Sequence, residues 1–254
     1  MPVLKTPGFS LDRTWKTHQT LSWRRTMSLD GIRHIVTCGD MIVVAHQWQK
    51  QGQTFTMFWG PDTDFFDFWF SYFDLAHDYM HTSRQCKAAL GPISRAERTV
   101  SGFHLINIPQ FQGYIEHHIV SHVRSRKNQH LYFQNLCAAT CGIRKKRFNG
   151  LGVVQWLPFP TPEQILDNEE ELYWYLPKKV SRSIVKATKS YIDGAQYELP
   201  SLMSDRNRTT LRRSYNMDPE NVIDWFMDGT DHDMKYVNML LTMAELYNWT
   251  EPEI

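Results

Sequence analysis

The chain has 254 residues, 42% of them apolar, which is enough to bury the core of one large domain or two small ones and excludes general disorder. No apolar run approaches the length of a membrane span, and the opening MPVLKTPGFSLDRTWK lacks the apolar centre of a secretory signal, so no membrane partner is expected. The formal net charge of +1 hides a segregation: residues 84–147 hold eleven Lys/Arg and two acids (Glu97, Glu116), whereas residues 216–254 hold nine acids and one base, Lys235. A focused positive middle attracts polyanions whatever the total charge. Four scattered cysteines, Cys38, Cys86, Cys137 and Cys141, make no disulfide scaffold and point to a reducing cytoplasm.

Taken in chain order, residues 9–60 read as strands. HIVTCGDMIVVA (34–45) is two β-rich runs around Gly39-Asp40, and QTFTMFW (53–59) is another. In residues 62–79, Phe65, Phe68, Trp69, Tyr72 and Phe73 recur at spacings of three and four behind Asp62 and Asp64 as caps, which predicts an aromatic-faced helix turned to the core. The later pattern is helical: 109–125, 129–141, 162–175 capped by Thr161, 178–191 before Gly194, 219–227 capped by Asp218, and 231–248 with one stripe of Val237, Leu240, Leu241, Ala244 and Tyr247. Between them RKKR (144–147) reads as a basic loop, and Cys137 and Cys141 as buried thiols one helical turn apart. A β-rich part (1–83) followed by a helical part (84–254) makes an α+β chain. No Gly-rich nucleotide loop, Ser-His-Asp order or Cys-x-x-Cys pattern is present.

Five stretches then stand in a telling order: FSLDRTWKTHQTLSWRR (9–25), with Gln19 and Trp23-Arg24 spaced as in G-Q-x-F-R-W; FWFSYFDLAHDY (68–79), matching Y-F-D-L-x-x-D-Y; GFHLINIPQFQGYIEHHIVSHV (102–123); LPFPTPEQI (157–165), matching F-P-T-P-E-x-L; and WYLPKKVSRSIVKATKSYIDG (174–194). The chain resembles the 8-oxoguanine DNA glycosylases of the helix–hairpin–helix superfamily from about residue 9 onward. The resemblance implies an N-terminal antiparallel β domain packed on a C-terminal helical glycosylase-like domain. It also implies binding of double-stranded DNA with one nucleotide flipped out, and no cofactor.

Several positions depart from that family. Where it has a hairpin L-P-G-V-G-x-K, this chain has FMDGTDHDMKYVNMLLTMAEL (226–246); Lys235 falls at the nucleophilic lysine, but only Gly229 resembles the hairpin, and Asp231 and Asp233 bring negative charge where phosphate should approach. Glu253 is the only carboxylate near the place of the family aspartate, and the helices completing the oxidised-guanine pocket would come later still. His18 replaces the glycine whose carbonyl reads the oxidised base, and SHVRSR (121–126) replaces the N-N-N stretch that fills the gap left by the flipped base.

EHHIVSHVRSRK (116–127) is the densest chemistry. Glu116, His117, His118 and His122 are candidate acid–base groups at the base-flipping mouth, with Arg124, Arg126 and Lys127 as cations for phosphate or pyrophosphate. His118 and His122 are spaced as two metal ligands, but no third is suggested, so no metal is expected. Arg144, Lys145, Lys146, Arg147, Lys178, Lys179 and Arg182 are candidate phosphate contacts; Arg206, Arg208, Arg212 and Arg213 read as a basic linker or arm. His18, Gln19, Ser121, Asp231 and His232 are candidate pocket residues, and Lys235 is either a nucleophile or the ion-pair partner of Asp231.

Three functions compete. The first retains base flipping and drops excision, as in the phage thymine-hypermodification proteins of the amino acid:DNA transferase and glutamyl-putrescinyl-thymine pyrophosphorylase type. There a free amino acid or amine replaces the pyrophosphate of a pyrophosphorylated 5-hydroxymethyl-uracil. The second is a divergent glycosylase/lyase using Lys235 and Glu253, and the third a non-enzymatic DNA-binding protein. The first is the preferred expectation, for a monomer in a bacterial cytosol and with a phage origin.

Overall fold

The structure, a computed structural model, describes residues 2–28, 31–60, 65–79 and 102–194, with Tyr236 and Met239. In chain order its elements are β1 (Val3–Lys5), α1 (Leu11–Lys16), β2 (Trp23–Ser28), β3 (Gly31–Cys38), β4 (Met41–Lys50), β5 (Gln53–Trp59), α2 (Gln110–His122), α3 (Arg126–Cys141), β6 (Arg144–Phe148), β7 (Gly152–Trp156), α4 (Pro162–Asp167), α5 (Glu169–Tyr175) and α6 (Lys178–Ile192). Two compact units divide the chain: Met1–Pro7, His18–Phe73 and Ile106–Tyr197 form one, and Gly8–Thr17, Asp74–Leu105 and Glu198–Ile254 the other.

The first unit holds a five-stranded antiparallel sheet in the order β1-β5-β4-β3-β2. Gly39 (φ 54) opens the turn that closes the Cys38↔Met41 pair, and Gln51 and Gly52, both at positive φ, close Lys50↔Gln53. Such left-handed turn residues match the twist of the strands they join. One face is buried through Trp23, His34, Val36, Val43, Ala45 and Phe58. Trp23 Nε1 donates to His34 Nδ1 at 3.0 Å, so the buried indole N–H is satisfied, and the same ring meets Phe73 edge-on at 5.5 Å.

The sequence expectations need four corrections. Residues 9–60 are not all strand: Ser10 accepts the Arg13 N–H at 3.3 Å and caps α1, whose Leu11 and Thr14 are buried. Residues 62–79 do not form one helix. Phe65–Trp69 is a π-helical turn, Phe70–Tyr72 a single α turn, and Asp74 is left-handed at φ 49. The irregular turn seats Phe65 and Phe73 on Phe58 (4.5 and 5.6 Å) while Trp69 and Tyr72 are also buried, so packing of large rings overrides helical periodicity. Residues 162–175 are two helices broken at Asn168, whose Nδ2 donates to the Gln164 carbonyl at 2.8 Å; the expected Thr161 cap is present, as a capping box with Gln164. RKKR is strand β6, not a loop: pairing with β7 lets Phe148 and Trp156 cover Ile42, Val44 and Trp59 of the sheet.

The helices of this unit share a second core, where Ile115, Ile119, Leu136, Cys137, Ile165, Leu172 and Ile184 are fully buried and Leu21 enters from the segment before β2. Cys141 is only half-buried. In the other unit Tyr79 donates to Asp74 Oδ2 at 2.6 Å and accepts the Leu105 N–H at 2.9 Å, and its ring lies 4.0 Å from His104. Tyr236 is buried there, stacked on Phe103 at 4.6 Å. The helices expected at 219–227 and 231–248 and the basic run 206–213 lie outside the described residues, apart from Tyr236 and Met239. Among the described residues no helix is long and apolar enough to cross a membrane.

Candidate nucleic-acid interface

Helix α2 buries Gln112, Ile115, Glu116 and Ile119, a stripe at helical spacing. This places Glu116 inward, away from any surface. Its Oε2 accepts the Leu21 N–H at 2.7 Å; its Oε1 accepts the Thr20 hydroxyl at 2.9 Å and Gln112 Nε2 at 2.8 Å. Burial pushes its carboxyl up to about 7, against the pull of these three donors. Glu116 therefore ties α2 to residues 20–21 and is not an exposed general base. His130 on α3, a residue sequence reasoning passed over, places Nδ1 3.2 Å from the Leu21 carbonyl. With Nδ1 protonated, the two helices hold both polar groups of the Leu21 backbone.

The outer side of α2 carries the remaining candidates. His118 Nδ1 lies 3.1 Å from Ser183 Oγ on α6, and its ring meets Tyr114 edge-on at 4.8 Å. His122 stacks on His118 at 6.4 Å and places Nδ1 2.9 Å from the His118 carbonyl and 3.0 Å from Ser121 Oγ. His117 lies 6.1 Å from His118. Burial first, then His117 and His122, lower the His118 pKa and favour its neutral form. Among the described residues no set of three His, Cys, Asp or Glu is placed to hold a metal ion.

Past Val123, where Gln129 Nε2 closes the bend at 2.6 Å, Arg124 and Lys127 are exposed and Arg126 is half-buried. His18 adopts φ 52, so the backbone keeps a left-handed conformation at the position where the resembling family has glycine. Burial, then Arg126, then His130 lower its pKa to about 4. The Gln19 side chain is taken up by the backbone: its Oε1 accepts the Ile106 N–H at 2.8 Å. Thus His117, His118, Ser121 and His122 come together, as do His18, Arg126 and His130.

The other basic residues are spread along the fold. Arg144, Lys145 and Arg147 are exposed on β6, while Lys146 is half-buried with Nζ 5.7 Å from the Phe148 ring. Lys178, Lys179 and Arg182 are exposed along the first turns of α6, opposite the buried Val180, Ser181 and Ile184. Asp231, His232 and Lys235 lie outside the described residues.

No protein-family model matches the chain, and no curated protein matches its sequence. Solved structures do share its architecture. MBOgg1 in complex with a low-affinity DNA ligand covers 97% of this chain and 96% of its own, at 17% identity and a TM-score of 0.66. The chain has a DNA glycosylase-like fold. The 3-methyladenine DNA-glycosylase from Archaeoglobus fulgidus aligns with this glycosylase-like chain over 98% of it and 100% of its own length, at 13% identity and a TM-score of 0.66. The Clostridium acetobutylicum 8-oxoguanine glycosylase/lyase, in complex with double-stranded DNA containing cytosine opposite 8-oxoG, aligns over 100% and 88%, at 14% identity and a TM-score of 0.61.

Proposed function

We propose that the protein binds double-stranded DNA, extrudes one nucleotide and modifies its base without excising it. The observation that carries this reading is the make-up of the α2–α3 corner. From His117 to His130 the sequence holds four histidines, Arg124, Arg126 and Lys127 and no acid, and the acid just before them, Glu116, is buried. Such a corner suits a leaving anion and a neutral imidazole as proton acceptor. The reaction that uses both is amine transfer onto a pyrophosphorylated 5-hydroxymethyl-uracil. The amine nitrogen of a free amino acid or polyamine attacks the 5-methylene carbon, the carbon–oxygen bond breaks, pyrophosphate leaves with the electron pair, and a histidine takes the amine proton. His118, kept neutral, is the assigned acceptor; Arg124 and Arg126 are assigned to the pyrophosphate. Arg144, Lys145, Arg147, Lys178, Lys179 and Arg182 are assigned to duplex phosphates.

A second reading, glycosidic cleavage with Lys235 as nucleophile, draws on the glycosylase/lyase among the structural relatives. Mass spectrometry of nucleosides separates the two. Duplexes carrying 8-oxoguanine, 5-hydroxymethyl-uracil or its pyrophosphate are incubated with the protein, with and without amino acids. An intact nucleoside heavier by an amine substituent supports transfer. A freed base, lost in Lys235→Ala, overturns it in favour of excision.

A further inference from the structure

The strand register assembles a surface that the α2–α3 corner does not use. On the face opposite Trp23, His34 and Phe58, cross-strand partners form successive rows. Lys5, Phe55 and Trp48 make one; Val3, Met57, His46, Arg33 and Thr26 the next; Trp59, Val44, Ile35 and Arg24 the third. The β6–β7 hairpin covers the third row through Phe148 and Trp156. The first two rows keep ring surface in solvent: Phe55, Trp48 and His46 are all half-buried. Their rings stand almost parallel, Trp48 to Phe55 at 6.0 Å and 18°, His46 to Trp48 at 5.8 Å and 19°. His46 is held by its Nδ1, 2.9 Å from the Ile32 carbonyl, and the Arg33 guanidinium lies 5.6 Å from the centre of the Trp59 ring.

Charge selects the occupant. Among the described residues the seven strands carry nine Lys/Arg and no Asp or Glu. Lys5 and Lys50 are exposed at the open end, and by the alternation of the strands both share the face of Phe55 and Trp48. An apolar protein partner has no use for this rim of cations, and a duplex hides its base faces. A single strand offers both complements, flat bases for the rings and phosphates for the cations.

We propose that this open face of the five-stranded sheet binds a single-stranded polynucleotide, with bases against Phe55, Trp48 and His46 and phosphates on Lys5, Lys50 and Arg33. The test is titration of the full chain with fluorescein-labelled dT20 and with a 20-bp duplex, read by anisotropy and by tryptophan quenching. Trp48→Ala with Phe55→Ala weakens dT20 binding by at least about tenfold and leaves duplex binding unchanged. Lys5→Glu with Lys50→Glu, both at exposed positions, gives a comparable selective loss and does not depend on trimming the half-buried rings. Unaltered dT20 affinity in the Lys5/Lys50 variant, or equal losses on dT20 and duplex, overturns the proposal. Binding of poly-glutamate as tight as dT20 and indifferent to Trp48 overturns it in favour of an acidic protein partner.

Discussion

Glu116→Gln is the most informative single change, because the same residue was the first candidate for a general base and is found buried. Its carboxyl stands at about 7 in the folded chain against an ordinary 4.5. Between those values the folded state keeps a proton that the unfolded state has lost, so stability falls as pH rises through this window. The gap corresponds to about 3 kcal/mol between pH 4.5 and pH 8. The substitution removes the titration but keeps an oxygen for the Leu21 N–H, now 2.7 Å from Oε2. The assay is urea denaturation of both proteins across that range. His18 runs the other way: its folded value of about 4 lies below the ordinary 6.5, so its contribution is present above 6.5 and is lost as pH falls toward 4. Because His18 is common to both proteins, the quantity to read is their difference at each pH. The variant is expected to gain on the parent by about 3 kcal/mol from pH 4.5 to pH 8. A constant difference would refute the claim that Glu116 is driven toward protonation by burial, and would mean that its three hydrogen bonds hold it ionised throughout.

Four further outcomes follow from the geometry. Arg124→Ala and Arg126→Ala are expected to lower turnover on pyrophosphorylated DNA by about tenfold or more while weakening plain-duplex binding less; equal losses in the two assays would remove their assignment to the leaving group. Duplex affinity should fall steeply with salt, and Lys145→Ala or Lys178→Ala should each flatten that log–log slope by about one, with an unchanged slope arguing against phosphate contact. His130→Ala should cost about 1 kcal/mol in chemical denaturation by releasing the Leu21 carbonyl, and a neutral result would dissolve the clamp. His18→Gly should gain about 1 kcal/mol by relieving a left-handed β-carbon, and a thermal-melting temperature that does not rise would show that the ring's contacts outweigh the strain.

The parts of the fold legible in the sequence were those written in short-range patterns. Gly39-Asp40 between β-rich runs, Thr161 as a helix cap, and Gly194 after the helix over 178–191 each specify local structure through turn chemistry or capping. What misled were segments where distant partners decide the conformation. The run from Phe65 to Phe73 has helical spacing, yet its rings are seated by Phe58 and Trp23 on other strands. RKKR has a loop-like composition, yet Phe148 beside it anchors a strand against the sheet. For the candidate site, the linear stretch EHHIVSHVRSRK does not reveal its division by face. Helical phase sends Glu116 inward with Ile115 and Ile119, and leaves His117, Ser121 and His122 outside. His130 carried no motif and becomes meaningful only through Leu21, more than a hundred residues away in sequence.

That division by face bears on the chemistry. On the proposed function, a carboxylate exposed at the α2–α3 corner would repel phosphate and compete for the arginines; turning Glu116, the one acid of the 116–130 stretch, inward avoids both and uses it to fix the backbone at Leu21. His18 stands three residues from that fixed point, in a left-handed conformation uncommon for L side chains. The clamp from Glu116 and His130 fixes the backbone at Leu21, close to that turn. If His18 belongs to the base pocket, its ring is presented neutral, beside Arg126, by a backbone pinned from two helices. Loosening either pin should then impair recognition of the base before it impairs the fold. His130→Asn and Glu116→Gln are therefore expected to raise KM for modified duplex more than they lower the temperature of unfolding, whereas a fall in stability with unchanged KM would leave the clamp as a purely structural feature.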